Sequence, residues 1–172
     1  MDKQFCIFDM DGTIYLGARV FPAAVDFIKL LRKSGKRVLF FTNNASHSPE
    51  FYMDKLTRLG FEPERREIMT SGDVTIEFLK RHRAGKRVYL EGQFGAAGIP
   101  LADTKGGADI VVTSFDTTLT YEKLEAACRY IREGAEYLST HPDFNCPTEN
   151  GFIPDSGAIA ALVTASTGVT PT

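Results

Sequence analysis

At 172 residues the chain is one ordinary domain or two small ones, long enough to bury a sizeable core. Its 43% hydrophobic and 24% charged residues, with a net charge of -2, describe a soluble globular protein. They also argue against a nucleic-acid partner, because the densest basic cluster, Lys80 to Arg83 with Lys86 and Arg87, reads as a solvated helix end and strand start.

The first predicted element is the apolar run Phe5-Cys6-Ile7-Phe8, read as a buried strand central in a parallel sheet. It runs into Asp9-Met10-Asp11-Gly12-Thr13. Ligands in open α/β sheets sit outside the carboxyl ends of strands, which is where Asp9 and Asp11 fall. Two carboxylates so close repel unless a cation or a shared proton intervenes, so the pair suggests a hard-metal site with Asp9 and Asp11 as ligands. A divalent ion would keep Asp9 ionised as a nucleophile and leave Asp11 free to carry a proton. The EF-hand pattern does not fit, because it needs Gly at its sixth position and a preceding helix. A plain strand-ending Asx turn is the other reading of these residues.

Ile14 to Gly17 is too short for a helix and is expected to form a flap over the strand end. Pro22 then opens a helix with Val25, Ile28 and Leu31 on one stripe, closed by Ser34-Gly35. Val38 to Phe41 reads as a second buried strand, and strand, helix, strand in this order predicts a parallel βαβ unit. That strand ends in Thr42-Asn43-Asn44, neutral donors suited to phosphate oxygens or, alternatively, a turn capping the next helix.

Ser48-Pro49-Glu50 is a helix start, with Tyr52, Leu56 and Leu59 following and a stop at Gly60. Ile68 to Ser71 reads as a third strand, with a helix through Val74, Phe78 and Leu79 behind it. Ala84-Gly85 looks like a domain boundary, giving units 1–83 and 84–172. Beyond it come a strand over 86–90 and a Gly-rich stretch from Gly92 to Gly107 that is no dinucleotide fingerprint. A strand over 109–113, a helix capped by Thr120 and a strand over 137–140 follow. A long polar connection from His141 to Gly151 is expected to be a loop presenting substrate contacts, with His141, Asp143 and Asn145 as candidates. Ser156-Gly157 starts a final apolar helix ending at Gly168.

Cys6, Cys128 and Cys146 are odd in number and widely spaced, without a C-x-x-C. Neither a disulfide framework nor a zinc site is indicated; Cys6 reads as a small core residue and a cytoplasmic protein is expected. The start of the chain does not read as a signal peptide, and no run is long and apolar enough to suggest a membrane partner.

Asp9-x-Asp11-Gly12-Thr13, the run from Lys36 to Asn44, Met69 to Asp73, Phe115 to Leu124, and Thr140 to Asp143 with Pro147 and Gly151 stand in the order found in one family. The sequence resembles the haloacid dehalogenase-like hydrolase superfamily, and within it the class IIA branch of 4-nitrophenylphosphatase-like enzymes. The resemblance implies an α/β fold, a Rossmann-like core with a parallel sheet plus an inserted α/β cap that begins near Ala84-Gly85.

The resemblance further implies a Mg2+-dependent phosphatase acting on a small phosphorylated metabolite. Asp9 would be the nucleophile and Asp11 the general acid and base, with the Asp11 carbonyl contacting the metal. Thr42 and the Asn43 N–H would hold the phosphoryl group beside Asn44, and a homodimer would form through the cap. Members continue past the cap with a lysine and a Gly-Asp strand that complete the site. Here the last lysine is Lys123 and the last acid Asp155, so neither role can be assigned, and a chain truncated after the cap is expected. Half the core sheet would then be missing, with the Asp9 strand left as an exposed edge. The alternative function is a non-catalytic module that binds phosphorylated ligands or a partner.

Overall fold

The computed structural model describes residues 4–90 and 98–172. The chain begins with strand β1 (Phe5–Asp9), a hairpin of β2 (Tyr15–Leu16) and β3 (Arg19–Val20), and helix α1 (Ala24–Lys33). It continues through β4 (Arg37–Thr42), α2 (Pro49–Arg58), a 3-10 turn at Arg65–Glu67, β5 (Ile68–Thr70) and α3 (Ser71–His82). The βαβ expectation holds: β1, β4 and β5 form one parallel sheet in that order, with Asp9 opposite Phe41 and Thr42 opposite Thr70.

Alternation along the strands sends Val38, Phe40 and Ile68 to one face, where Ile28 of α1 and Tyr52 and Leu56 of α2 bury them around Phe61. The opposite face is partly open among the described residues: Phe5 is 43% exposed and Ile7 62%, and Met69 stands on the same face beyond Phe41. Among the described residues β1 pairs with β4 alone and lies at the sheet edge, as expected for a chain that stops after the cap and unlike the buried central strand read from the apolar run by itself. An apolar run looks the same in sequence whether one or two strands flank it. Cys6 is half-buried instead of a core residue.

The helix starts follow from side-chain oxygens. Ser48 Oγ accepts from Phe51 N at 3.4 Å ahead of Pro49. At α3, Thr70 Oγ1 accepts from Asp73 N and Asp73 Oδ2 accepts from Thr70 N, both at 3.0 Å, a reciprocal box that draws Ser71 into the helix. Thr70→Ala should lower stability by about 1–2 kcal/mol, read from urea unfolding, with the denaturant slope unchanged.

The second half builds another parallel sheet from β6 (Val88–Leu90), β7 (Ile110–Thr113) and β8 (Glu136–Ser139), with α4 (Tyr121–Arg132) between the last two. Thr120 caps α4, as expected, through a bond from Lys123 N at 3.3 Å. Helices α4 and α5 (Ser156–Thr167) cover one face, burying Tyr89, Val111, Tyr130, Tyr137 and Val163 together. The other face receives Leu79 of α3 with Ala45, against Val88, Ile110, Val112 and Leu138. Residue 172 lies along β8, its N–H bonded to the Tyr137 carbonyl at 3.0 Å.

The expected loop from His141 to Gly151 is in part an antiparallel hairpin, β9 (Asn145–Thr148) and β10 (Gly151–Pro154), closed by a turn at Glu149-Asn150. Gly151 takes a φ of 117°, which favours glycine there. Of the Gly-rich stretch, residues 91–97 lie outside the described residues, while Leu101 bridges to Val88. Among the described residues no helix is long and apolar enough to cross a membrane.

Candidate active site

Parallel pairing brings the carboxyl ends of β1, β4 and β5 to one edge, and the sequence-predicted residues collect there. Asp9 is exposed, and its Oδ2 accepts a hydrogen bond from Thr13 Oγ1 at 2.8 Å. Asp11 begins the tight turn into β2, where Gly12 N donates to the Tyr15 carbonyl at 2.8 Å. Both its carboxylate oxygens are held: Tyr15 Oη donates to Oδ2 at 3.3 Å, and Lys55 Nζ of α2 lies 3.4 Å from Oδ1. The same ammonium stands 4.1 Å from the Tyr15 ring centroid. Burial, reinforced by the Asp11 charge, drives the Tyr15 hydroxyl far above its ordinary pKa, so it remains a proton donor to the carboxylate.

On the next strand Thr42 is fully buried, and its Oγ1 accepts from Asn44 N at 3.1 Å. The Asn44 side-chain oxygen accepts from Ser46 N at 2.9 Å and Ser46 Oγ at 2.5 Å, so that amide shapes the loop. The Asn43 side chain donates to Asp143 of the second half of the chain, and its carbonyl accepts from Ser71 Oγ at 2.5 Å.

A cleft of about 390 Å³ opens beside Asp11. Asn44, His47, Phe51, Tyr52 and Lys55 line it from the first half of the chain, and Phe115, Thr117 and Cys146 to Asn150 from the second. Burial, then the Lys55 charge, lowers the His47 pKa and keeps that ring neutral at pH 7. Burial pushes the Cys146 thiol up to about 11. Iodoacetamide at pH 7 should accordingly alkylate Cys146 much more slowly than a free cysteine, as read by peptide mass spectrometry.

The other candidates part company. Asp143 accepts from the Asn43 side chain, while Asn145 is an exposed residue of β9. His141 is buried, its Nε2 2.8 Å from Asp155 Oδ1 and its Nδ1 3.0 Å from Thr140 Oγ1. Asp155 also caps α5, accepting from Ser156 N at 2.6 Å. That pair ties β8 to α5 and has no face toward the cleft. Lys123, the last lysine, has its ammonium on Asp116 at 2.6 Å.

A family profile described as haloacid dehalogenase-like hydrolase matches residues 6–99. The chain belongs to the haloacid dehalogenase-like hydrolase family. Among curated relatives of this family, an acid sugar phosphatase of Staphylococcus aureus is 36% identical over 96% of the chain. The chain spans 66% of the length of that relative. A 4-nitrophenylphosphatase structure from Thermotoga maritima superposes with a TM-score of 0.89 at 37% identity, over 98% of this chain and 66% of that one. A glycerol phosphate phosphatase from Mycobacterium tuberculosis, solved in complex with magnesium, aligns with a TM-score of 0.88 at 30% identity, over 97% and 52%. The α/β fold with its parallel sheets is the fold of these hydrolases.

Sequence reasoning missed Lys55, His47 and Glu149. The first two sit on or just before α2, where a lysine on a surface helix gives no sign of the carboxylate 44 positions away in the chain. Glu149 sits in a hairpin turn, where an acidic residue is commonplace.

Proposed function

We propose that this hydrolase-family chain serves a phosphomonoester phosphatase, with a small phosphorylated metabolite as substrate and residues 84–172 as the cap over the site. The observation that carries the reading is Asp9 at the end of β1. One of its carboxylate oxygens is tethered to Thr13, the other has no hydrogen-bond partner among the described residues, and the Thr42 hydroxyl stands on the adjoining strand end.

In the first step the free oxygen of Asp9 attacks phosphorus as the ester P–O bond breaks, and the departing oxygen takes the proton of Asp11. An alcohol leaves and an aspartyl-phosphate remains. Asp11, now a carboxylate held by Tyr15 and Lys55, then takes a proton from water as that water attacks phosphorus, releasing phosphate and restoring Asp9. Thr42 Oγ1 and the Asn43 N–H steady the phosphoryl oxygens throughout.

The donors here suit a hard cation. Asp9 offers its free carboxylate oxygen, and the Asp11 main-chain carbonyl accepts no backbone N–H among the described residues. Oxygen donors few in number suit Mg2+, an ion that keeps several waters when bound. When bound, Mg2+ would neutralise charge on the phosphoryl oxygens.

The test is acid quenching of the native protein during turnover of 4-nitrophenyl phosphate. Expected is a phosphoryl adduct on the peptide carrying Asp9, formed with Mg2+ and lost with EDTA. An adduct on another residue, or turnover with none, overturns the reading.

A further inference from the structure

We propose that Lys55 is a positioning residue for proton transfer, holding the Asp11 carboxyl group at a fixed angle to the leaving oxygen. The proposal rests on the phosphatase reading and adds to it a residue that touches neither phosphorus nor the leaving group.

The turn that carries Asp11 is wound by local bonds. The Met10 carbonyl accepts from Thr13 N at 3.2 Å, Ile14 N at 3.0 Å and Tyr15 N at 3.4 Å. Tyr15 Oη, four residues after Asp11, donates to Oδ2 at 3.3 Å. These bonds shape the turn, but they do not tie the carboxyl group to any other element. Lys55 supplies that tie from 44 positions away, with Nζ 3.4 Å from Oδ1 and 4.1 Å from the Tyr15 ring centroid. One carboxyl oxygen thus meets the Tyr15 hydroxyl, the other meets the ammonium, and the ammonium rests on the Tyr15 ring. A carboxyl group held at both oxygens cannot turn about its Cβ–Cγ bond.

Helix α2 gives Lys55 a firm base. Tyr52 lies one turn earlier on the same helix face, buried against Ile28, Phe40 and Leu56, and its hydroxyl donates to the Asn44 carbonyl at 3.2 Å. One helix therefore grips both loops, the turn after β1 through Lys55 and the end of β4 through Tyr52. That sets where the proton donor stands relative to Thr42.

Each carboxyl oxygen keeps a second acceptor position, so Asp11 can carry its proton without releasing either partner. As the bond from Asp9 to phosphorus forms and the ester P–O bond breaks, that proton passes to the departing oxygen. The O–H bonding pair stays on Asp11. The Lys55 and Asp11 side chains are 22% and 23% exposed, and ion pairs this open contribute little to stability. Orientation is what the contact supplies, and a misplacement of about 1 Å costs roughly 10²-fold in rate.

The leaving group reads that orientation. 4-Nitrophenolate departs as a stable anion with little need of an acid, whereas the alkoxide of glycerol phosphate needs the proton. In Lys55→Met, kcat/KM for glycerol phosphate should fall about 10²-fold, and kcat/KM for 4-nitrophenyl phosphate should fall by a factor at least about ten times smaller. Lys55→Arg keeps a cation on the ring and a donor to Oδ1, and should restore most of the ratio. Tyr15→Phe keeps the buried ring and drops only the hydroxyl; it should shift the ratio the same way. The double variant should shift it by less than the product of the two single effects. The ratio does not depend on the fraction of folded enzyme, so partial unfolding cannot imitate the result.

Equal losses on both substrates in Lys55→Met, or a ratio that Lys55→Arg leaves as low as Lys55→Met does, overturns the positioning role while the phosphatase reading stands. A double variant that multiplies the single effects overturns the shared hold on one carboxyl group. A native protein that hydrolyses neither substrate in the presence of Mg2+ overturns the phosphatase reading, and the proposal with it.

Discussion

Asp9→Asn should abolish phosphomonoester hydrolysis, with kcat lowered at least about 10⁴-fold, while leaving the thermal midpoint where it is. The chemistry and the stability separate here because of where Asp9 sits. Its side chain is exposed and makes one hydrogen bond, from Thr13 Oγ1 at 2.8 Å, which an amide oxygen can accept equally well. An amide, however, is a far weaker nucleophile than a carboxylate and cannot form the acyl phosphate. Asp11→Asn should behave differently, costing about 10²–10⁴-fold, because it removes proton transfer and leaves the nucleophile. The gap between the two variants is itself informative. Steady-state assays of both, with melting curves alongside, check the pair, and hydrolysis persisting in Asp9→Asn would remove Asp9 from the chemistry.

The largest effect on stability is expected far from that site. Lys123→Met should destabilise the native protein by about 3 kcal/mol at pH 7, since it leaves a buried carboxylate without its cation. Asp116 has a fully buried side chain, whose oxygens accept from Lys123 Nζ at 2.6 Å, Thr118 N at 2.8 Å and Thr118 Oγ1 at 2.7 Å. Burial, the largest single influence, pushes its pKa up; the hydrogen bonds from Lys123 and Thr118, helped by the Lys123 charge, outweigh it and hold the carboxyl below the ordinary range. A group with a depressed folded pKa contributes stability above its unfolded value, about pH 4 for Asp, and loses that contribution as pH falls through the folded value. With the cation gone, burial prevails and the carboxyl takes up a proton at higher pH. The deficit of the variant should thus be greatest at neutral pH and shrink on acidification. Urea unfolding of both proteins at pH 7 and near pH 4 measures it, and a pH-independent deficit would mean that lost packing of the lysine stem is responsible.

Much of the architecture was legible because its signals are local. Ser48-Pro49-Glu50 and Thr120 mark helix starts through side-chain oxygens only a few residues from the N–H groups they accept from. The apolar runs at 38–41 and 110–113 are strands because buried parallel strands are apolar on both faces. The collection of Asp9, Asp11 and Thr42 at one end of the sheet follows from the parallel pairing that a βαβ unit imposes. What stayed illegible is long-range. Pro147 inside β9 argues against a strand by local rules, and only pairing with Phe152 makes it one. His141 resembles a loop ligand until Asp155 is brought beneath it. The grip of Lys55 on Asp11 and of Glu149 on Ala18 depends on how separate elements meet, which no spacing encodes.

The partly open face and free edge of β1 bear on how this stretch of polypeptide behaves as it is made. Strands β1, β4 and β5 have all been synthesised by residue 70, each joined to the next by a helical crossover, so they can pair early. The sheet forms with Phe5, Ile7 and Met69 facing water and one row of main-chain groups unpaired among the described residues. A nascent sheet in that condition is a template for another strand. Crowded translation of neighbouring copies therefore favours edge-to-edge association, and a chaperone that shields β1 should raise the soluble yield more than one that binds the well-covered sheet of β6, β7 and β8.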